Sequence, residues 1–185
     1  VFKRILLAYD YATKKSIYHR DIKPENIMID ENGTVKLIDW ELCSFTKFSA
    51  RRVGTAEYMS EEVFRGEIYE CKKSDIWSLG VSMFCLATGA RPYTYPACSD
   101  NIDDKWLMSI YDKNWSYYWK SHEQSVHFPS LTLNFKFCIE DMLKKEPEER
   151  SDIEQIMTSN FFLGDEMNPH EIVNNMELLS HPFLF

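Results

Sequence analysis

Between Ile76 and Ala87 run twelve residues without a charge, IWSLGVSMFCLA, and no other stretch constrains the fold of this 185-residue chain as strongly. A helix over this run is apolar on most of its faces, so other elements have to surround it. Ser74 suits its N-cap, and Gly89 followed by Pro92 suits its end. The pattern therefore predicts a buried helix over Asp75 to Thr88, the axis of a core. The run is well short of the about 20 residues that span a bilayer. With 44% hydrophobic residues the chain has enough apolar material for a real core, which excludes disorder, collagen and coiled coil and leaves one large domain or two small ones.

Around that axis the period changes twice. Phe2, Ile5, Leu6, Tyr9 and Ala12 recur at helical spacing, with Lys3, Arg4, Asp10, Lys14 and Lys15 on the other face, predicting an amphipathic helix over 1–16. Ile27, Ile29, Val35 and Leu37 alternate about Asn32-Gly33, a dipeptide suited to a type I′ turn, and predict a short hairpin. Phe45 to Arg52 is polar, basic and without period, and reads as a loop. Phe135, Cys138, Ile139, Met142 and Leu143 have the spacing of a buried helical stripe. Ser151 with Glu154 fits a capping box, and a last helical stretch is expected near Glu171 to Leu179. The fold class is thus mainly α with a small β-hairpin. The aromatic stretch from Trp106 to Trp119 has few interleaved cations, so packing or a protein-docking surface accounts for it better than base stacking. His19 reads as a hydrogen-bonded core histidine, whereas His122, His127, His170 and His181 have no ligand spacing.

Twenty-one Lys and Arg against 29 Asp and Glu leave a formal charge of −8. That balance opposes non-specific binding to nucleic acid or to an anionic membrane. Five cysteines without a C-x-x-C pair fit reduced thiols inside the cell and argue against a zinc site. The first residue is Val1, no secretory pattern follows it, and the amphipathic run begins at once, as in a chain that starts mid-structure.

The chemistry-bearing segment is His19-Arg20-Asp21-Ile22-Lys23-Pro24-Glu25-Asn26, followed by the hairpin and Asp39-Trp40-Glu41. In a two-residue hairpin centred on Asn32-Gly33, facing residues have numbers summing to about 65. Ile27 then faces Ile38, and Asn26 faces Asp39. An amide oxygen and a carboxylate meeting at the open end suit Mg²⁺, which takes few protein ligands. Pro24 disfavours helical geometry at Lys23, so Asp21 and Lys23 project the same way. A carboxylate to orient a hydroxyl, a cation for the transferring group and a metal site are the parts of phosphoryl transfer.

These residues resemble the catalytic loop of the protein kinase family, and Lys23 two places after Asp21 is similar to its serine/threonine branch. The resemblance continues in order. Asp39-Trp40-Glu41 stands at the D-F-G position, Gly54-Thr55-Ala56-Glu57-Tyr58-Met59 at the substrate-receiving segment and Ser60-Glu61-Glu62 at A-P-E, followed by Asp75 to Gly80 and Arg150. It implies Asp21 as catalytic base, Lys23 on the γ-phosphate, Asn26 and Asp39 as Mg²⁺ ligands and Thr55 as a bridge between Asp21 and Lys23. Met28 would form part of the floor under adenine, and Glu25 would belong to the ATP-binding set. Glu62 and Arg150 would form a buried ion pair, and Asp75 would steady the catalytic loop.

The resemblance covers the larger, helical lobe of a two-lobed domain, expected over 1–163 with a tail over 164–185. Only 18 residues precede His19, and they hold neither a glycine-rich loop nor a strand lysine. Half the nucleotide cleft is therefore expected to be missing from this polypeptide, leaving it weak or inactive alone. Glu41 replaces a glycine, Ser60-Glu61-Glu62 lacks the proline, and Arg51 stands where loop-phosphorylated kinases often carry threonine. Ser49, Thr46 and Ser44 are candidates for a phosphate paired with Arg20. The expected function is a serine/threonine protein kinase using ATP and Mg²⁺ on protein Ser/Thr acceptors, in the cytoplasm, with room for a regulatory protein. The alternatives are a pseudokinase or truncated interaction module and a small non-kinase ATP-binding protein.

Overall fold

The uncharged run lies at the centre of the molecule, in a computed structural model that describes residues 1–97, 104–124 and 128–163. It forms helix α3 (Cys71–Thr88), in which every residue from Ser74 to Phe84 is buried. Gly89 ends it in the left-handed conformation, as the sequence predicts. The start differs by a turn. Ser74 lies inside the helix, because the Cys71 N–H is satisfied by the Lys47 carbonyl at 2.9 Å, a tertiary partner that replaces a side-chain cap.

In chain order the other named elements are α1 (Phe2–Thr13), β1 (Ile27–Ile29), β2 (Val35–Leu37), β3 (Phe48–Ser49), α2 (Glu61–Phe64), β4 (Tyr69–Glu70), α4 (Lys105–Tyr111), α5 (Trp115–Glu123), α6 (Leu133–Met142) and α7 (Ile153–Met157). The described residues are mainly helical, with two two-stranded antiparallel sheets, β1-β2 and β3-β4. Helix α6 packs on α3 and buries Phe135, Cys138, Ile139 and Met142, the predicted stripe. The contact is close: a Cβ at Gly80 would lie 2.9 Å from Met142 Cβ. Helix α1 packs on β2 and α7, burying Ile5, Leu6, Tyr9 and Ala12. Asp10, assigned to its outer face, is buried as well and holds Lys14 at 2.6 Å.

The hairpin closes one residue differently from the expectation. Ile27 pairs with Leu37 and Ile29 with Val35, so facing numbers sum to 64 rather than 65. The cause is Asp30, whose carboxylate accepts the N–H groups of Asn32 and Thr34, both at 3.0 Å. A turn closed by Gly33 N–H on the Asp30 carbonyl follows, and Gly33 alone takes a positive φ, 72°. This is a three-residue loop with a left-handed glycine, which spares Asn32 the positive φ of a type I′ turn. Arg4 in α1 donates to the Gly33 carbonyl at 3.1 Å and fixes the turn on the helical body.

Three further expectations shift. Within the supposed loop over Phe45 to Arg52, Phe48 and Ser49 form β3 and pair with Glu70 and Tyr69. The capping box is made by Asp152 and Gln155, one residue beyond the expected Ser151 and Glu154. His122 is buried among Trp106, Tyr118, Phe84 and Phe128, and this burial pushes its pKa down to about 4. The aromatic stretch is therefore largely core packing, with Tyr117 left exposed. The helix expected near Glu171 to Leu179, the tail 164–185, Cys98, His127, His170 and His181 lie outside the described residues. The four described cysteines are free thiols, and no helix among the described residues is long and apolar enough to cross a membrane.

Candidate active site

The loop that carries Asp21 is held from beneath by α3. Asp75 accepts the backbone N–H of His19 at 2.8 Å, the N–H of Arg20 at 2.8 Å and the Tyr9 hydroxyl at 2.9 Å. Burial pushes the Asp75 carboxyl up to about 7 against the pull of these three donors. The bonds hold Arg20 at a φ of 66°, a conformation costly for a non-glycine residue that persists only when its surroundings impose it. Serines spaced by four on the same helix add a further tie. Ser78 donates to the Tyr58 carbonyl at 2.7 Å, while Ser82 donates within the helix to the Ser78 carbonyl at 2.7 Å and lies 3.4 Å from the Ile22 carbonyl. Sequence reasoning did not assign Tyr9, Ser78 or Ser82 to the site. The signal for the serines was the four-residue repeat of hydroxyls on a helix buried from Ser74 to Phe84.

His19 is fully buried, as expected of a core histidine. Its Nε2 bonds the Ile38 carbonyl at 2.9 Å, and its Nδ1 accepts the Asp21 N–H at 3.3 Å, which requires a neutral ring protonated at Nε2. Burial lowers its pKa and outweighs the Ile38 carbonyl and the nearby carboxylates. Trp40 packs on the ring with centroids 4.4 Å apart and donates its indole N–H to the Leu37 carbonyl.

Four of the predicted residues are in direct contact. The Asp21 carboxylate receives the Thr55 N–H at 2.7 Å and pairs with Lys23 Nζ at 3.1 Å, while Lys23 donates to Thr55 Oγ1 at 2.8 Å. Lys23 is extended before Pro24, as the proline requires. Burial pushes the Asp21 carboxyl up, but the hydrogen bonds from Thr55 and Lys23 outweigh it and hold the group below its ordinary value. Asn26 is buried and donates its amide to the Asp21 backbone carbonyl at 2.9 Å, which leaves its oxygen as the free acceptor.

Asn26 faces Ile38, whose N–H meets the Asn26 carbonyl at 2.9 Å, and so the predicted pairing of Asn26 with Asp39 is off by one residue for the reason given for the hairpin. Asp39 follows at a φ of 62°, exposed, with no hydrogen bond or ion pair among the described residues. Glu25 and Met28 are exposed, with Met28 on β1. Glu41 is exposed and has no positive φ, so a side chain is accommodated at the position where the resemblance has glycine. Gly54 is different. It sits at a φ of 109°, and a Cβ there would stand 2.5 Å from the Arg20 carbonyl oxygen, so only glycine lets Thr55 reach Asp21.

The predicted ion pair between Glu62 and Arg150 is present. Arg150 reaches Glu62 with Nη1 at 2.6 Å and Nη2 at 3.1 Å, and its remaining N–H groups meet the carbonyls of Lys73, Lys144 and Lys145. All five donors of a buried guanidinium are satisfied, and α2 is bound to the helical body. Arg20 donates to Ser49 Oγ at 3.2 Å and to the carbonyls of Leu42 and Cys43. Of the three candidate hydroxyls, only Ser49 bonds Arg20.

Residues 1–162 match the family model for the protein kinase domain. The chain belongs to the protein kinase family. CBL-interacting protein kinase 5 of Oryza sativa subsp. japonica is 29% identical over 168 residues, covering 87% of this chain and 33% of that protein. CBL-interacting serine/threonine-protein kinase 15 of Arabidopsis thaliana is 31% identical over 170 residues, with 87% and 36% covered. Serine/threonine-protein kinase KSP1 of Saccharomyces cerevisiae is 30% identical over 188 residues, with 96% and 17% covered. The chain thus spans from about a sixth to about a third of the length of these relatives.

Proposed function

We propose that residues 1–163 are the large, helical lobe of a serine/threonine protein kinase catalytic domain, with 164–185 a C-terminal tail. The proposed reaction is transfer of the ATP γ-phosphate to Ser or Thr hydroxyls of protein substrates. The observation that carries this reading is the closed set of contacts among Asp21, Lys23 and Thr55, at 3.1, 2.8 and 2.7 Å, with Asn26 bonded to the same loop.

Among the described residues no group of three or more His, Cys, Asp or Glu is arranged to hold a metal. The free Asn26 oxygen and the unpaired Asp39 carboxylate instead fit an ion that takes two protein oxygens and completes its shell with water and phosphate, as Mg²⁺ does. Bound Mg-ATP supplies the transferable phosphoryl group and metal charge. The chain's own residues do the rest. Asp21, kept ionised by Thr55 and Lys23, is a weak base that orients the acceptor hydroxyl and takes its proton late, as suits a loose transition state. Lys23 brings positive charge to the transferring group, and Thr55 holds Lys23 against Asp21. Met28 offers an exposed apolar surface for adenine, and Glu25 belongs to the proposed ATP-binding set.

The test is phosphate transfer from radiolabelled ATP to Ser/Thr peptides by the full-length natural protein, against Asp21→Asn. Loss of on the order of 10²–10⁴-fold is expected. Turnover unchanged by Asp21→Asn overturns the reading. These 185 residues hold no G-x-G-x-x-G loop, so the chain assayed alone is expected to transfer weakly or not at all, since positioning and electrostatics supply nearly all the catalysis here. The pseudokinase reading draws on Glu41, whose charge adjoins Asp39. Absence of transfer by the full-length protein favours it, whereas transfer that survives Asp39→Asn would remove Asp39 from the metal site. Two relatives are named for interaction with CBL, which supports a regulatory protein partner for this protein too.

A further inference from the structure

Beside α2 lies an open groove of about 630 Å³. It is walled by α2, by the link from α2 to α3, by Phe48 of β3 and by residues 145–148, and it contains none of Asp21, Lys23, Asn26 or Asp39. Two apolar side chains stand in it exposed, Ile68 at 80% and Phe48 at 54%. A cavity of this size with apolar anchors is in the range that holds a ligand segment.

The charges around it are unevenly matched. Every cation lining the groove is already held: Arg65 by Glu61 at 2.5 Å, Lys145 by Glu61 at 3.7 Å and Lys73 by Asp152 at 3.1 Å. Nearby Lys47 is held by Glu70 at 3.5 Å. Glu67, Glu146 and Glu148 line the same groove, are exposed at Glu67, Glu146 and Glu148 alike, and make no ion pair among the described residues. The groove therefore presents apolar anchors inside a rim of unpaired negative charge.

We infer that this groove docks a partner protein through a segment in which apolar side chains alternate with Lys or Arg. The apolar residues cover Ile68 and Phe48, and the cations meet Glu67, Glu146 and Glu148. In an extended segment alternate side chains point to opposite sides, so one side seats on the anchors while the long basic side chains reach the rim. The inference concerns binding alone and stands independently of the proposed phosphate transfer.

The experiment is fluorescence anisotropy of a short fluorescein-labelled peptide alternating Leu or Ile with Lys or Arg, titrated with the protein. Glu67→Lys/Glu148→Lys is expected to weaken binding roughly tenfold, whereas Glu31→Lys/Glu123→Lys, with the same change in net charge at positions that do not line the groove, weakens it less than about twofold. Ile68→Asp also weakens it, and because Ile68 is 80% exposed this change leaves the fold intact, as a thermal melt by circular dichroism verifies. Equal losses in both double variants mean general attraction to an acidic protein and overturn the inference. So does absence of binding, or tighter binding of the matching peptide with Glu in place of the cations. Self-association in sedimentation velocity that Ile68→Asp abolishes would make a second copy the occupant, and overturns it as well.

Discussion

At Gly54 the backbone passes so close to the loop carrying Asp21 that one methyl group decides the geometry. Gly54→Ala would put Cβ 2.5 Å from the Arg20 carbonyl oxygen at a φ of 109°. Backbone clash and left-handed strain together are expected to cost about 1–3 kcal/mol, read by urea denaturation. The same change should move the Thr55 N–H off Asp21 and lower phosphate transfer by the full-length protein. Arg150 is the complementary case, in which one side chain satisfies three segments. Arg150→Ala strands the buried Glu62 carboxylate, and a loss of about 3–5 kcal/mol is expected in the same assay. Arg150→Lys should recover little of it, because an ammonium cannot supply the five-donor fork that meets Glu62 and the carbonyls of Lys73, Lys144 and Lys145.

Helix by helix, the strongest packing claim falls on the α3–α6 contact. Gly80→Ala places a Cβ 2.9 Å from Met142 Cβ and 3.0 Å from Leu143 Cδ2, so overpacking of about 1–3 kcal/mol is expected, again read by denaturation. Elements defined by long periodic burial were legible in sequence: α1, α3 and α6 each bury the faces their spacing predicts. Their ends were less so. The start of α3 depends on the Lys47 carbonyl, supplied from another segment, which no local pattern announces. The hairpin register turned on whether Asp30 would cap its own loop, and the sequence of Asn32-Gly33 is compatible with either turn. The clustering of Asp21, Lys23 and Asn26 was legible because they lie within one short segment, with Pro24 controlling the backbone. Thr55, 34 residues after Asp21, was placed by resemblance, and the tertiary fold brings its N–H to 2.7 Å.

Across the whole molecule, two buried groups tie stability to pH with opposite sign. Asp75 is raised by burial to about 7, so the folded chain keeps a proton that the unfolded chain releases. Its stabilising contribution is complete below its ordinary value of 3.8 and is lost as pH rises through about 7. His122 is lowered by burial to about 4, so its contribution is complete above 6.5 and is lost as pH falls through about 4. His19, lowered by the same cause, adds to the second slope. Unfolding free energies between roughly pH 4.5 and 6.5 should therefore show opposing variants, whatever each costs in absolute stability. Asp75→Asn is expected to leave stability rising more steeply with pH, and His122→Phe to leave it falling. Parallel profiles for the two variants would contradict both assignments.

What this sequence determined by itself is the buried axis and the chemical identity of the site. An uncharged helix can only be surrounded, and a carboxylate, a lysine and a proline in fixed order have few arrangements. What only the tertiary structure decided is which distant groups complete them. Asp75 under the loop, Arg20 held at positive φ and the acidic groove between α2 and residues 145–148 all arise from contacts between segments far apart in the chain. Such contacts depend on the summed packing of the core, and no local period encodes them.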